Sequence, residues 1–86
     1  MAEEQIGRIS HYFGKIHVAA IELTEGSLAV GDSIHIKGHT TDLTEKIKSI
    51  QIEHDQLQSA NKGDSIGVNV SDHVREHDVV YKVLPD

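Results

Sequence analysis

The stretch KSIQIEHDQLQSANKGDSIGVNV, residues 48–70, decides the fold of this chain. Apolar and polar residues alternate at both of its ends, most regularly over residues 66–70, and this alternation is typical of a strand with one face on a core. A polar segment that ends in Gly63-Asp64 connects the two ends, and glycine before aspartate is typical of a tight turn. The stretch therefore predicts a strand, a connection, a turn and a second strand.

The same alternation recurs elsewhere in the chain. Ile34 and Ile36 alternate with polar neighbours, and residues 79–83 repeat the pattern. Glycines separate these segments, and Ile, Val and Thr are frequent. Short alternating segments between turns are typical of β-strands, so the sequence predicts an all-β fold. Within the polar connection, residues 56–61 are a candidate for a single helical turn.

The alternation changes phase in two places. Ile16 and Val18 give way to Ile21, and Ile47 gives way to Ile50. An odd offset inside a strand indicates a β-bulge or a sharp bend. Small closed barrels require such bends, so both places favour a small closed β-barrel.

Two Gly-Asp pairs, Gly31-Asp32 and Gly63-Asp64, mark turns in the predicted barrel. We expect each glycine to adopt a positive φ, which glycine reaches without a steric penalty. Each aspartate is expected to bind the backbone of its own loop through its side chain. Leu28, just before the first pair, is expected to plug one end of the barrel.

Length and composition limit the function classes. The chain has 86 residues, which suits one domain over residues 1–86 with a modest core. It has no cysteine, so neither a disulfide nor a thiolate metal site is expected. The N-terminal sequence lacks the pattern of an export signal, and no apolar stretch approaches the ~20 residues that cross a bilayer. We expect a cytoplasmic protein without a membrane partner.

The net charge works against general binding to nucleic acid. Fourteen acidic residues against eight basic ones give a formal charge of −6. Binding to phosphate backbones depends on Lys and Arg side chains that neutralise phosphates. Seven histidines titrate near neutral pH and could bring the net charge close to zero in mild acid. An RNA partner would therefore have to meet a locally basic face.

Four elements in the same order and spacing resemble domain 2 of translation elongation factors, the β-barrel next to the GTP-binding domain of elongation factor Tu and of its archaeal and eukaryotic counterpart. They are Gly-Arg-Ile at 7–9, the run from Gly to Ile at 26–36, Lys-Ser-Ile at 48–50 and Ala-x-x-Gly-Asp-x-Ile-Gly at 60–67. The resemblance implies a closed six-stranded barrel of Greek-key type. It also implies a non-catalytic binding module that contacts a protein or a structured RNA in a translation-linked setting.

The chain departs from the elongation-factor pattern at Ala19-Ala20, where the family has Gly-Arg. In elongation factors this face helps to hold the aminoacylated end of tRNA. The chain also resembles the small barrel at the C-terminus of U32-type peptidases. That second resemblance implies an alternative function, a protein-docking domain that acts in trans with an enzyme such as a U32-type peptidase.

No phosphate-binding GxxxxGK[ST] loop occurs in the sequence, so the chain is not expected to bind GTP by itself. No cofactor and no catalytic activity are expected. We expect a monomer whose partner is a protein or a structured RNA.

The candidate binding surface consists of Arg8, Tyr12, Phe13, Lys15 and Lys48. Two aromatic rings at a strand end beside a basic residue could stack on a base or anchor a peptide. The alternative is that one ring closes the barrel while the other covers its rim, and that the lysines protect strand edges from aggregation. A docking module predicts instead an exposed apolar patch that includes Tyr12, Phe13 and a further residue, Leu57.

Several histidines resemble parts of hydrolytic sites. His73 to His77 matches HxxEH, which binds zinc when one helix presents all three side chains. No third ligand follows from the spacing, and the segment is expected to be a polar turn with no metal. His35 and His39, and the pair His54-Asp55, have no evident nucleophile beside them, so we expect exposed strand residues.

Overall fold

The computed structural model describes residues 2–53 and 55–84, and every regular element within them is a β-strand. The all-β prediction is therefore confirmed. The helical turn predicted for residues 56–61 is wrong, because these residues form two short strands. In chain order the strands are β1 (Ala2–Phe13), β2 (Val18–Leu23), β3 (Ser27–Ala29), β4 (Ser33–Lys37), β5 (Asp42–Lys46), β6 (Ile50–Ile52), β7 (Asp55–Leu57), β8 (Ser59–Asn61), β9 (Ser65–Asn69) and β10 (Val79–Leu84).

The strands form two antiparallel sheets. One sheet has the order β5-β4-β10-β1-β2-β9-β6-β7, and β3 pairs with β8 in a second sheet. Within the described residues the larger sheet has β5 and β7 as its edge strands, so the strand pairing does not confirm a closed barrel of six strands. The short strands β3, β7 and β8 account for much of the difference from six. They lie in segments that the sequence pattern assigned to connections.

Strand β1 contains the bends that let the sheet curve. Its register shifts against β10 between Gln5 and Gly7, and against β2 between Ile9 and His11. A bulge adds one residue to one strand and increases the local twist. As a result, the inward-facing residues of β1, which are Ile6, Ile9 and Tyr12, lie three positions apart instead of two.

The two changes of phase in the sequence are not caused by a bulge in the strand where they occur. Ile16 lies in the exposed turn between β1 and β2, and Ala19 is the first buried residue of β2, which then alternates regularly. The bulge predicted there is wrong, because the extra residue lies in the partner strand β1. Ile47 is buried in the connection between β5 and β6, so the second change of phase occurs where one strand ends and the next begins.

Among the described residues, sixteen buried apolar side chains form one core cluster. Leu28, the predicted plug, is fully buried in β3 opposite Ala60 of β8. The described residues contain no helix that is long and apolar enough to cross a membrane. The core residues are Ile6, Ile9, Ala19, Ile21, Leu23, Leu28, Ile34, Ile36, Ile47, Ile50, Ala60, Ile66, Val68, Val70, Val74 and Val80.

Turns of the same type precede β4, β9 and β10. In each turn an aspartate carboxylate accepts a hydrogen bond of 2.9 Å from the backbone N–H three residues earlier. The side-chain bonding predicted for the two Gly-Asp turns is thus confirmed, and the third turn was not predicted. The donor and acceptor pairs are Ala29 and Asp32, Asn61 and Asp64, and Arg75 and Asp78.

The residue before each aspartate has a positive φ. Gly31 has a φ of 100° and Gly63 a φ of 96°, as predicted, whereas the third turn has His77 with a φ of 75°. A side chain with Cβ is disfavoured in this region, although histidine tolerates it better than most residues. His77 therefore occupies a position that would suit glycine.

We expect the substitution His77→Gly to raise the free energy of unfolding by about 0.5–1 kcal/mol, because it removes the steric cost of the positive φ. Denaturant unfolding measures the change. The matched control is Gly63→Ala, which should lower stability by about 1 kcal/mol through its φ alone, since a Cβ there would meet no atom within 4 Å. A His77→Gly variant no more stable than the parent would contradict the turn assignment.

Candidate binding surface

The outer face of β1, β2, β9 and β6 carries small side chains where the strands pair. Ala20 of β2 lies opposite Gly67 of β9, and Gly67 lies opposite Gln51 of β6. A Cβ on Gly67 would lie 3.2 Å from Cγ1 of Val18, so a larger residue would crowd this face. Because two adjacent strands present almost no side chain here, the sheet has a depression in its outer surface.

The depression forms a groove of about 340 Å³, which we call the Phe13 groove. Its lining includes Phe13, Ala20, Gln51, Glu53 and Gly67. The Phe13 side chain at the end of β1 is 46% exposed, although it is large and apolar. This combination of a bare floor and an exposed aromatic ring can hold an apolar group of a partner.

The turn between β1 and β2 extends the apolar surface. Ile16 in this turn is 64% exposed, and Leu57 on β7 is 38% exposed. Of the three residues predicted for the apolar patch, Phe13 and Leu57 are exposed and Tyr12 is half-buried, and Ile16 is a further exposed apolar residue that the sequence reasoning did not include. Leu57 is not among the residues that line the Phe13 groove.

The two predicted aromatic residues have different environments. Tyr12 is half-buried and packs against the core, whereas Phe13 is exposed. The Tyr12 ring contacts the His73 ring edge-on at a centroid distance of 4.6 Å, and its hydroxyl lies 3.5 Å from Nδ1 of His17. Successive strand residues point to opposite faces, so the two rings do not form one stacking platform.

The three predicted cations lie on separate elements. Arg8 on β1 forms an ion pair of 3.6 Å with Glu22 on β2. Lys15 is exposed in the β1–β2 turn, close in sequence to Phe13, and Lys48 is exposed in the connection between β5 and β6. The structure thus brings Lys15 and Phe13 to one hairpin, and it places Lys48 in a different connection.

A second depression of about 390 Å³ lies beside Tyr12 and is lined by His11, His73, Arg75 and Glu76. His11 Nδ1 lies 3.1 Å from Glu76 Oε1. The HxxEH segment has no helix here. Within the described part of the chain, no group of three or more His, Cys, Asp or Glu side chains is placed to hold a metal ion. Geometry for zinc-dependent hydrolysis is therefore not assembled in those residues.

His35 on β4 is held between two carboxylates. Its Nε2 lies 2.5 Å from Asp42 Oδ1, and its Nδ1 lies 2.8 Å from Glu3 Oε2. The sequence reasoning predicted an exposed residue, but the His35 side chain is only 15% exposed because β10 and the two acidic residues surround it. Both ring nitrogens are occupied, so neither remains to activate a nucleophile. Of the other predicted histidines, His39 is exposed and His54 lies outside the described residues.

The hydrogen bond with Asp42 raises the pKa of His35 above its ordinary value, partial burial opposes this shift, and Glu3 adds to it. A folded-state pKa above the unfolded one stabilises the protein below the unfolded pKa of about 6.5. This contribution is lost as the pH rises through the folded-state pKa. We therefore expect the His35 contribution to the free energy of unfolding to be present at about pH 5 and to be lost progressively above about pH 6.5, toward about pH 8.

The substitution His35→Gln should make stability less dependent on pH over this interval, because the titrating group is gone. Denaturant unfolding at both pH values measures the effect. The control is His11→Gln at the contact with Glu76, where both side chains are more than half exposed and solvent screens the interaction. An unchanged pH dependence in His35→Gln would contradict a stabilising role for this cluster.

No protein-family model matches the chain. Among curated proteins, an uncharacterized protease of Methanocaldococcus jannaschii is 44% identical over 78 residues, which cover 90% of this chain and 19% of that protease. A collagenase of Porphyromonas gingivalis is 35% identical over 78 residues, which cover 90% of this chain and 22% of the collagenase. The chain spans about a fifth of the length of these curated relatives.

The solved structures that share the fold include a peptidase domain and a translation factor. The C-terminal domain of a U32 peptidase from Geobacillus thermoleovorans superposes with a TM-score of 0.86 at 18% identity, covering 94% of this chain and 93% of that domain. The GDP-bound translation factor aIF5B of Aeropyrum pernix superposes with a TM-score of 0.67 at 18% identity, covering 94% of this chain and 15% of that factor. The fold is thus that of the U32 peptidase C-terminal domain, with a weaker likeness to the translation-factor domain.

Proposed function

We propose that this chain is a non-catalytic docking module that binds in trans to the catalytic region of a U32-type peptidase. The observation that carries the proposal is the nearly complete mutual coverage of this chain and the C-terminal domain of a U32 peptidase. The curated relatives add support, because their matched segment amounts to about a fifth of a protease or a collagenase. Fold alone does not fix function, so the proposal also needs support from the surface.

The surface supports binding rather than chemistry. Phe13 exposes apolar area in a groove and Ile16 exposes more in the adjacent turn, which is the kind of surface that partners cover. The histidines with acidic neighbours are engaged in structural contacts, since His35 bridges two carboxylates and His11 contacts Glu76. A module of this kind would position or regulate an enzyme without contributing a catalytic residue.

Affinity capture with the tagged 86-residue protein tests the proposal. The protein is incubated with lysate of its own organism, with and without ribonuclease, and peptides from U32-type peptidases are quantified by mass spectrometry. We expect a U32-type peptidase to be enriched equally in both samples, and the purified pair to bind in isothermal titration calorimetry. Retention of ribosomal proteins or tRNA that ribonuclease abolishes, with no peptidase retained, would overturn the proposal.

A translation-linked RNA contact is the second candidate, and the likeness to aIF5B favours it. It would use Lys15, Lys48 and the Tyr12 ring as the binding surface. Two features weigh against it. The formal charge is −6, and the guanidinium of Arg8 is already paired with Glu22. The ribonuclease comparison distinguishes this candidate from the docking module.

A further inference from the structure

We infer that the Phe13 groove binds a segment of the partner protein in which a large apolar side chain lies next to a lysine or an arginine. The inference rests on the proposed function and adds the site and the chemistry of its ligand. The apolar side chain would lie on the bare floor at Ala20 and Gly67, against the Phe13 ring. The cation of the same segment would lie beside Glu53.

The apolar half of the site follows from the shape of the sheet. Gly67 has no side chain, and Ala20 directly opposite it has only a methyl group, so the floor lies close to the backbone. Phe13 rises at one side of this floor, and Ile16 follows it in the next turn, both with large apolar surfaces in water. Covering such surface with an apolar side chain is favourable by about 25 cal/mol per Å² of buried area.

The charged half of the site follows from Glu53. Among the described residues that line the groove, Glu53 carries the one ionisable side chain, and the others are apolar or neutral. Its carboxylate is thus the charge that a ligand in the groove meets, on a chain whose formal charge is −6. Electrostatic complementarity therefore favours a cationic group beside the apolar one and disfavours an acidic segment.

The backbone at Glu53 adds a second observation. Glu53 lies in the turn directly after β6. It has a φ of 48°, a conformation that residues with a Cβ rarely adopt. Glycine or asparagine would suit this position better on steric grounds. A role of the Glu53 side chain in binding would explain why a residue with a Cβ occupies this unfavourable backbone conformation at the groove.

A peptide fits this site better than RNA does. No lysine or arginine is among the described lining residues, so a phosphate group inside the groove would meet Glu53 without a cation in the lining to compensate it. A base could contact the Phe13 ring, but no lining side chain would neutralise its backbone, and the cation of Lys15 lies in the adjacent turn. The observations therefore favour a protein segment, and RNA binding becomes an outcome of the test.

The test uses the 86-residue protein and two acetylated peptide amides, Lys-Leu-Phe-Lys and Glu-Leu-Phe-Glu. Amide NMR spectra recorded during titration should show shifts at Phe13, Ala20 and Gly67 with the basic peptide. We expect the basic peptide to bind about tenfold more tightly than the acidic one. Phe13→Ala should weaken binding about tenfold, and Glu53→Gln should remove the preference for the basic peptide.

The matched control is Leu57→Ala, which removes another exposed apolar side chain outside the groove and should leave both affinities unchanged. Thermal unfolding confirms that each variant is folded before its affinity is compared. Equal binding of the two peptides, shifts away from the groove, or a single-stranded RNA oligonucleotide that shifts the groove residues more strongly would each overturn the inference.

Capture of the peptidase separates this inference from the proposed function. If the parent protein and the Phe13→Ala and Glu53→Gln variants all retain a U32-type peptidase equally, the groove inference is wrong and the proposed function stands. If no peptidase is retained but the basic peptide binds the groove as described, the groove inference stands and the proposed function is wrong.

Discussion

Replacing Gly7 with alanine is expected to lower the free energy of unfolding by about 3 kcal/mol or more, one of the two largest effects that the structure predicts. Gly7 lies in β1, paired with Leu23 of β2 on one side and Val80 of β10 on the other. A Cβ at this position would overlap the backbone carbonyl oxygen of Glu22 and would lie 3.1 Å from the carbonyl carbon. The overlap involves backbone atoms, so a change of rotamer cannot relieve it.

Relief would require β2 to move away from β1 at the centre of the larger sheet, with loss of ladder hydrogen bonds. Denaturant unfolding measures the change. The matched control is Gly14→Ala in the β1–β2 turn, where the nearest atom to a new Cβ would be Cε2 of Tyr12 at 3.5 Å, an ordinary contact distance. That variant should lie within about 0.5 kcal/mol of the parent. Equal stabilities of the two variants would show that Gly7 is not required for the close approach of β2.

The substitution Gly38→Ala is expected to lower the free energy of unfolding by about 2 kcal/mol. A Cβ on Gly38 would overlap Oδ1 of Asp78 and would lie 2.5 Å from its Cγ. The Asp78 carboxylate is buried, and its Oδ2 accepts the hydrogen bond from the Arg75 backbone N–H that closes the turn before β10. The new methyl group would displace this carboxylate, so the turn would lose its side-chain hydrogen bond.

A double-mutant cycle isolates this cause. Asp78→Ala removes the carboxylate that the methyl group meets, so Gly38→Ala should cost much less in that background. We expect a coupling of about 1 kcal/mol or more between the two positions. Additive losses would mean that Gly38 is needed for another reason, and the contact with Asp78 would then not explain its effect.

Local sequence patterns were reliable where the structure depends on neighbouring residues. The alternation over residues 66–70 predicted the strand β9, and the Gly31 and Gly63 turns have the positive φ and the aspartate hydrogen bonds that the sequence predicted. The equivalent turn at His77 was missed because its glycine signal is absent. The aspartate three residues after Arg75 remains as the one signal that could have identified it.

Of the residues that line the Phe13 groove, the sequence reasoning named Phe13 alone. Ala20, Gly67 and Glu53 were not predicted as parts of one groove. These residues are distant in sequence, and the register of β2 with β9 and of β9 with β6 brings them together. A glycine and an alanine give no sequence signal for a binding floor, because both are also common in ordinary strands.

The amino-acid sequence by itself determined the all-β class, the inward faces of β4 and β9 and the Gly-Asp turns, because these follow from side-chain periodicity and from local backbone preferences. The tertiary structure alone decided the position of the bulges in β1, the pairing of the strands and the contact of His35 with Glu3 across β10. It also reversed the predicted face of β10, where Val80 lies in the core instead of Val79, Tyr81 and Val83. These features depend on which strands become neighbours and in which register. Long-range backbone pairing sets both, and no short window of the sequence contains that information.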